Sequence, residues 1–395
     1  MASIRDLQRL MHVPARRAPG VLLMAAALAG CSDGEPAPSA TAVRWSVQER
    51  PALEIGTGEG EDALYRVTSA ARLRDGRIAV ANAGTQQVKL FGADGRHQAS
   101  LGRRGGGPGE FQVPMWVGSH ADSILVWDAA LERLTVFDAG GKLARTTAFP
   151  TLGGSFPSVV GTFADGSLLL ASGTDQEAAA RQEGAWRGKT RLVRISPAGR
   201  VIDTLATVPS QERYSYRSGD GMGQVVEDLP FGRRTVMAVT DDGVVLGTGE
   251  EYRLRLVDTA GRERELVRAP WTPRPISSRD VEEYWSRMVT VGPRSNPGEA
   301  EAQRTRIPYP KTLPPYETLL VDAQGALWLG DAEPPQGWDD PDTWRIFSPD
   351  GVPLGTIELP ARVRVQAVGA DWILCTSLDP ATHRQTVRLY RYTRN

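Results

Sequence analysis

The chain has 395 residues, with 46 Lys and Arg against 47 Asp and Glu and a formal net charge of −1. Balanced, mixed charge excludes the one-signed basic footprint of a nucleic-acid binder. The length exceeds what one ordinary hydrophobic core organises. Two cysteines exclude a disulfide-stapled scaffold, which leaves internal repetition as the organising principle to look for.

The N-terminus carries Arg16 and Arg17 ahead of an apolar run, VLLMAAALAG, at 21–30. A helix of that length spans ~15 Å, half of a ~30 Å hydrocarbon core, which fits the h-region of a signal peptide rather than a membrane span. Cys31 follows directly on Leu28-Ala29-Gly30. This arrangement resembles the lipobox of bacterial lipoprotein signals. The resemblance implies cleavage before Cys31, a thioether lipid on that cysteine, and a protein anchored by lipid in the bacterial cell envelope, outside the cytoplasm. Residues 1–30 are then a signal peptide and 31–44 a flexible tether, rich in Pro, Ala and Ser between 32 and 41. With Cys31 acylated, Cys375 has no partner. Its setting, Trp372-Ile373-Leu374-Cys375, reads as a buried strand in which the thiol is a small core hydrophobe.

From residue 45 onward two series of turns alternate. The first follows a short apolar strand and precedes another: LRDGRI (73–78), HADSI (120–124), FADGSL (163–168), TDDGV (240–244), DAQGAL (322–327) and GADWI (369–373). Asp-Gly between apolar runs is a strong hairpin signal, and a type I′ turn with positive φ at both central residues is the expected form. The second series is LFGADG (90–95), VFDAGG (136–141), RISPAG (194–199), LVDTAG (256–261) and IFSPDG (346–351). Each unit therefore holds two hairpins, or four antiparallel strands, at a spacing of about 45 residues where loops are short, which is the anatomy of a propeller blade. The sixth unit ends at its third strand, RLYRY (388–392). ALEIG (52–56) resembles the fourth strand of the first unit, QASLG (98–102). The expected fold is an all-β, six-bladed β-propeller over 45–395, its last blade closed by the N-terminal strand.

The units resemble NHL-type and related six-bladed propeller repeats. The likeness is strongest at Val80-Ala81-Asn82, Val88-Lys89-Leu90-Phe91 and the stretch GGGPGEF (105–111) with Pro114. In those families such a stretch links one blade to the next. A phosphate-cradling reading of the same glycines lacks the required Lys followed by Ser or Thr. The resemblance implies fold, not activity.

Insertions break the spacing at 173–189, 210–229 and 271–313. Long insertions in a compact repeat fold are commonly functional. The third contains Ser277-Ser278-Arg279-Asp280, a helix start, followed by Val281, Tyr284, Trp285 and Met288 on one helical face. It is expected to form a short helix between blades 4 and 5, packed on the propeller as a cap rather than kept for a partner.

Residues at the start of each inner strand ring one mouth of the channel: Tyr65, Arg66, Trp116, Phe156, Arg233, Arg234, Tyr316 and Arg364, with Arg362 beside the last. Aromatics and arginines there suit an anionic or aromatic-rich ligand, because Arg pairs with carboxylate or phosphate and stacks on rings. A second ring follows the second strands: Asn82, Asp128, Ser172, Thr248, Asp331 and Thr376. Asn82, Asp128 and Asp331 are weak candidates for an axial Ca²⁺, since such residues at strand ends more often bond to their own turns. His97, His120 and His383 do not look placed to converge as a propeller lyase would require, and no nucleophile elbow occurs. The expectation is a membrane-anchored propeller without identifiable catalytic residues and without a cofactor. Its partner would be a small molecule, glycan, peptide or envelope protein. The alternative is a metal-dependent propeller hydrolase or lyase with an axial site.

Overall fold

The computed structural model describes residues 43–152, 157–174, 183–217, 223–291, 304–332, 341–379, 382 and 384–394. The signal peptide, Cys31, most of the tether, Phe156 and His383 lie outside them.

Six antiparallel sheets follow one another along the chain. Blade I runs Val67–Arg72, Ile78–Asn82, Gln87–Phe91 and His97–Leu101, from the channel outward. Blade II runs Pro114–His120, Ser123–Asp128, Arg133–Phe137 and Leu143–Ala148. Blade III runs Ser158–Thr162, Leu168–Gly173, Gly184–Ile195 and Val201–Arg217, with Gln224–Asp228 added at its edge. Blade IV is Val236–Val239, Gly243–Gly247, Arg253–Asp258 and Glu263–Arg268. Blade V is Tyr316–Val321, Leu327–Asp331, Asp342–Phe347 and Pro353–Leu359. Blade VI supplies Val363–Val368, Trp372–Leu378 and Gln385–Thr393.

The second strand of each blade is apolar on both faces because both faces are covered. In blade II, Ile124 and Val126 pack against blade I, whereas Leu125 and Trp127 pack against blade III. Equivalent cores lie between III and IV, IV and V, V and VI, and VI and I. The last of these joins Leu374, Val387 and Leu389 to Ile78, Val80 and Phe91 and makes the chain a ring.

The N-terminal strand completes blade VI as expected. Leu53 pairs with Leu389, Glu54 with Arg388 and Ile55 with Val387, and farther out Ser46 and Val47 pair with Thr393 and Tyr392. Arg388 donates to Glu54 at 2.7 Å. Trp45 stacks on Tyr392 with centroids 5.7 Å apart and meets Trp328 of blade V edge-on at 5.6 Å.

The turns differ from expectation in type. In the first hairpin Gly76 N–H donates to Leu73 O, and Leu73 N–H to Arg77 O. Gly76 has φ +89° while Asp75 is not left-handed. This is a type I turn closed by a bulged glycine rather than a type I′ turn. Asp75 accepts from Arg77 N–H at 3.0 Å, so the aspartate is chosen for its side-chain bond rather than for tolerance of positive φ.

The first two insertions are one object. The third and fourth strands of blade III run past the blade body, pairing Gly184 with Ser215 and Ala185 with Tyr214, and Gln224–Asp228 adds to the same arm. The third insertion contains the helix Ser278–Val291, between blades IV and V. Ser277 and Asp280 cap it reciprocally: Asp280 N–H donates to Ser277 Oγ at 3.2 Å and Ser277 N–H to Asp280 Oδ2 at 2.7 Å. Val281, Tyr284 and Trp285 pack on Tyr214, Tyr216, Leu229 and Ile307. The helix thus shares a seventh core with the arm of blade III, a partner its own amphipathic pattern does not reveal.

Closure places a heavy load on Trp45, which is buried between blades V and VI. Trp45→Ala should lower unfolding stability by about 3–5 kcal/mol, read as a fall in the denaturant midpoint. An unchanged midpoint would mean that the N-terminal strand is not needed to hold the ring.

Candidate functional site

All six inner strands start at the same end of the ring, so the residues just before them stand around one channel mouth. The inner strands are edges, and their free backbone groups need partners. Neighbouring blades supply several: Thr68 Oγ1 donates to Pro114 O at 2.6 Å, Val117 N–H to Ser69 Oγ at 3.3 Å, and Ala70 N–H to Gln366 Oε1 at 3.3 Å. Thr68 and Gln366 both sit at irregularities of the strand register, where the chain bulges and re-aims a side chain.

The mouth residues fall into distinct groups. Tyr316 is fully buried; its hydroxyl donates to Arg253 O at 2.8 Å and accepts from Gly249 N–H at 3.3 Å. Gly247 lies against that hydroxyl so closely that a Cβ would stand 2.2 Å from it. Burial pushes the phenol up to about 12, and Tyr316 serves as a strut between blades IV and V. Trp116 lies over the backbone of Gly118 and packs at the edge of the core between blades II and III. Arg233 is held by Glu212 on the arm: its Nε donates to Oε1 at 2.9 Å and its backbone N–H to Oε2 at 2.8 Å. Arg187 secures the same corner, donating to Ser210 O at 2.8 Å and pairing with Glu250 at 3.0 Å. Arm and helix therefore wall the mouth on the side of blades III and IV.

The remaining mouth residues are open. Tyr65 is 57% exposed and Met115 46%, and Arg66, Arg234 and Arg364 are exposed. Among the described residues, the side chains of these three arginines have no hydrogen bond or ion pair. Arg66 and Arg362, at matching places on adjacent blades I and VI, hold φ of +51° and +63°. A left-handed backbone is unfavourable for a residue with a long side chain and is typical of functional positions. Strand position alone picks out Arg66, Arg234 and Arg364 in the sequence; neither the left-handed backbone of Arg66 nor the open state of these three side chains among the described residues has a sequence signal.

The metal candidates of the second ring are each engaged locally. Asn82 is buried, accepting from Tyr65 N–H at 2.6 Å and donating to Thr85 at 2.8 Å. Both carboxylate oxygens of buried Asp128 are used by backbone donors, Gln112 and Val113 on one and Ala130 and Leu131 on the other. Asp331 pairs with Arg345 at 2.9 Å, and burial raises its pKa. Each faces its own turn or its own blade, so these residues do not fit a shared Ca²⁺. Among the described residues no group of three or more His, Cys, Asp or Glu side chains could hold a metal ion.

One polar constellation escaped sequence reading. On the outer strand of blade I, His97 Nε2 lies 3.0 Å from Ser100 Oγ and 3.8 Å from Glu61 Oε2, and Ser100 donates to the same Glu61 oxygen at 2.8 Å. A catalytic triad needs the acid on one ring nitrogen and the nucleophile on the other. Here both meet Nε2, and the cluster ties the turn Gly60–Asp62 to blade I.

A family model described as a 6-bladed beta-propeller matches residues 60–160. No curated protein matches the chain. Among solved structures, a DUF4221 family member from Bacteroides vulgatus is 10% identical, covering 88% of this chain and 99% of its own, with a TM-score of 0.51. A protein described as exported from Bacteroides fragilis is 12% identical, covering 89% and 99%, with a TM-score of 0.49. A calcium-binding protein, regucalcin, from Agrobacterium tumefaciens is 12% identical, covering 89% and 97%, with a TM-score of 0.38. The chain is a six-bladed β-propeller, and these likenesses are ones of fold.

Glu212 links the arm to the mouth and gives that contact a pH dependence. Burial raises its pKa, but the hydrogen bonds from Arg233 outweigh this, and the carboxyl titrates below its ordinary 4.5. The folded state then binds the proton less readily than the unfolded chain, so the contribution to stability is complete above pH 4.5 and is lost as pH falls through the folded value. The gap in thermal midpoint between the wild type and Glu212→Gln should be constant from pH 7 to 5 and narrow in more acidic solution. A gap that persists at the acid end would contradict this assignment.

Proposed function

We propose that this chain is a lipid-anchored propeller of the bacterial cell envelope that binds an anionic ligand at its channel mouth and performs no chemistry there. The observation that carries the reading is the set of exposed arginines, Arg66, Arg234 and Arg364, on blades I, IV and VI without side-chain partners among the described residues. Elsewhere the protein pairs its arginines freely, as at Arg187, Arg233, Arg345 and Arg388. Leaving three unpaired around one opening, beside an exposed Tyr65, suits a carboxylate- or phosphate-bearing glycan, peptide or small molecule, with the guanidinium forks for the anion and the ring for a sugar or aromatic face.

Anchoring rests on the run at 21–30 ending at Cys31. Among the described residues no helix is long and apolar enough to cross a membrane. A metal-dependent hydrolase or lyase is the second reading. The local engagement of Asn82, Asp128 and Asp331 weighs against it, because their oxygens would have to leave backbone donors or an arginine to reach a common ion.

The test is a calorimetric titration with acidic oligosaccharides and acidic peptides at low and high salt, with and without added Ca²⁺. Arg66→Ala and Arg364→Ala should each weaken binding about 10–100-fold, the scale of a lost charge-assisted hydrogen bond. Arg66→Gly should weaken it equally while leaving the thermal midpoint unchanged or slightly raised, because glycine relieves the left-handed backbone. Unaltered affinity in these variants would refute the site, and turnover abolished by chelation would favour the metal-dependent reading.

A further inference from the structure

The end of the ring opposite the mouth carries its own pattern. There the third strand of blades I to V turns into the fourth, and four of these turns place a basic residue directly after the turn glycine: Arg96, Lys142, Arg200 and Arg262, all exposed. Two of the turn acids are engaged by their own turns, whereas Asp94 and Asp350 are exposed. Asp138 Oδ1 accepts from Gly140 and Lys142 N–H, both at 2.9 Å, and Asp258 Oδ1 from Ala260 and Arg262 N–H at the same distance. Arg262 pairs with Asp258 at 2.7 Å and Arg96 with Asp94 at 3.7 Å. The side chains of Lys142 and Arg200 have no such partner among the described residues.

Exposed apolar residues follow the same turns. Leu143 starts the outer strand of blade II, Val201 and Ile202 that of blade III, and Val352 and Leu354 flank the start in blade V. Blade IV is charged at that place, with Glu263, Arg264 and Glu265. Val43 is also exposed, and its carbonyl accepts from Thr356 N–H on the outer strand of blade V at 3.0 Å. Among the described residues, six of the nine exposed large hydrophobic residues thus lie at or beside the outer-strand starts. The segment that enters there is the one that leads from Cys31. Twelve positions separate Cys31 from Val43.

We propose that this end of the ring rests on an anionic phospholipid surface. Lys142 and Arg200 meet headgroup phosphates, and Leu143, Val201, Ile202, Val352 and Leu354 dip into the interface. Adjacent basic and apolar side chains on a rigid rim are the combination that holds a protein at such a surface. The channel mouth then faces away from the membrane, open to ligands that diffuse in from the other side. This orientation rests on the lipid anchor proposed above, whereas the rim's affinity for lipid does not.

The test uses the mature protein purified from membranes, with its N-terminal peptide first weighed by mass spectrometry for lipid on Cys31. Single cysteines at Ile202, Leu354 and Met115 are spin-labelled, and the protein is reconstituted in vesicles with and without phosphatidylglycerol. On anionic vesicles, collision with a water-soluble nickel chelate should fall several-fold at Ile202 and Leu354 and stay unchanged at Met115. Lys142→Glu with Arg200→Glu should abolish the shielding. Partition of protein lacking lipid onto the same vesicles should weaken about fivefold for each basic charge removed. Equal accessibility at all three labels, shielding at Met115 alone, or spin–spin broadening from a second copy on the rim would each overturn the proposal. If the mass shows no lipid, the anchor reading fails separately, and the rim is judged on co-sedimentation with anionic vesicles, whose absence would overturn it.

Discussion

Every blade has two apolar faces and no single blade can bury them, so the fold depends on each sheet being covered on both sides. Blades II to V gain this from their sequence neighbours, and blade I only on the side of blade II. Blade VI gains it only when the ring closes, and closure requires the strand Leu53–Ile55 to pair with Gln385–Thr393. Trp45, Trp328 and Tyr392 form the aromatic junction that fixes the join. The first and last parts of the described chain are thus held to each other, and the preceding segment must enter at the rim of blades V and VI.

Closure also generates the site. A ring of radially arranged sheets leaves its inner strands as edges around a channel. Ser, Thr and Gln side chains from adjacent blades satisfy part of that edge on the side of blades VI, I and II. On the other side the arm of blade III and the helix Ser278–Val291 build a wall, with Glu212, Arg187 and Glu250 bracing it against blade IV. Phe231, left-handed at φ +59°, packs on Tyr284 and Tyr309 where the wall meets the mouth. In the braced half Arg187 and Arg233 are paired while Arg234 stays open; Arg66 and Arg364 stand open in the unbraced half. The division of roles follows from the insertions rather than from the repeats.

Much of the fold was legible because turn chemistry repeats. A glycine with φ near +80° closes the second hairpin of blades I to V, at Gly95, Gly141, Gly199, Gly261 and Gly351, where the chain reverses through a left-handed residue that glycine adopts without strain. The turn type of the first hairpin was misread because Asp-Gly serves both a type I′ turn and a type I turn with a bulged glycine. The insertions at 173–189 and 210–229 looked separate because strand pairing between them is non-local and leaves no short-range mark. At the mouth, position was readable and fate was not. Tyr316 and Arg364 occupy similar places at the start of their strands, yet one is a buried strut and the other is exposed. What separates them is the neighbouring blade, in which Gly247 leaves room for a phenol. The Asp and Asn residues of the second ring are candidates for metal in sequence because they recur at the ends of second strands, but Asn82 and Asp128 bond to their own turns and Asp331 to Arg345.

The central claim is that the mouth, and not the opposite rim, receives a diffusing anion. Arginine footprinting with phenylglyoxal, followed by peptide mapping, tests it most directly on the purified protein with and without the anionic low-molecular-mass fraction of envelope extract. The account predicts protection confined to Arg66, Arg234 and Arg364, while Arg96 and Arg200 react as before. Protection at Arg96 and Arg200 instead, or at none of the five, would contradict it.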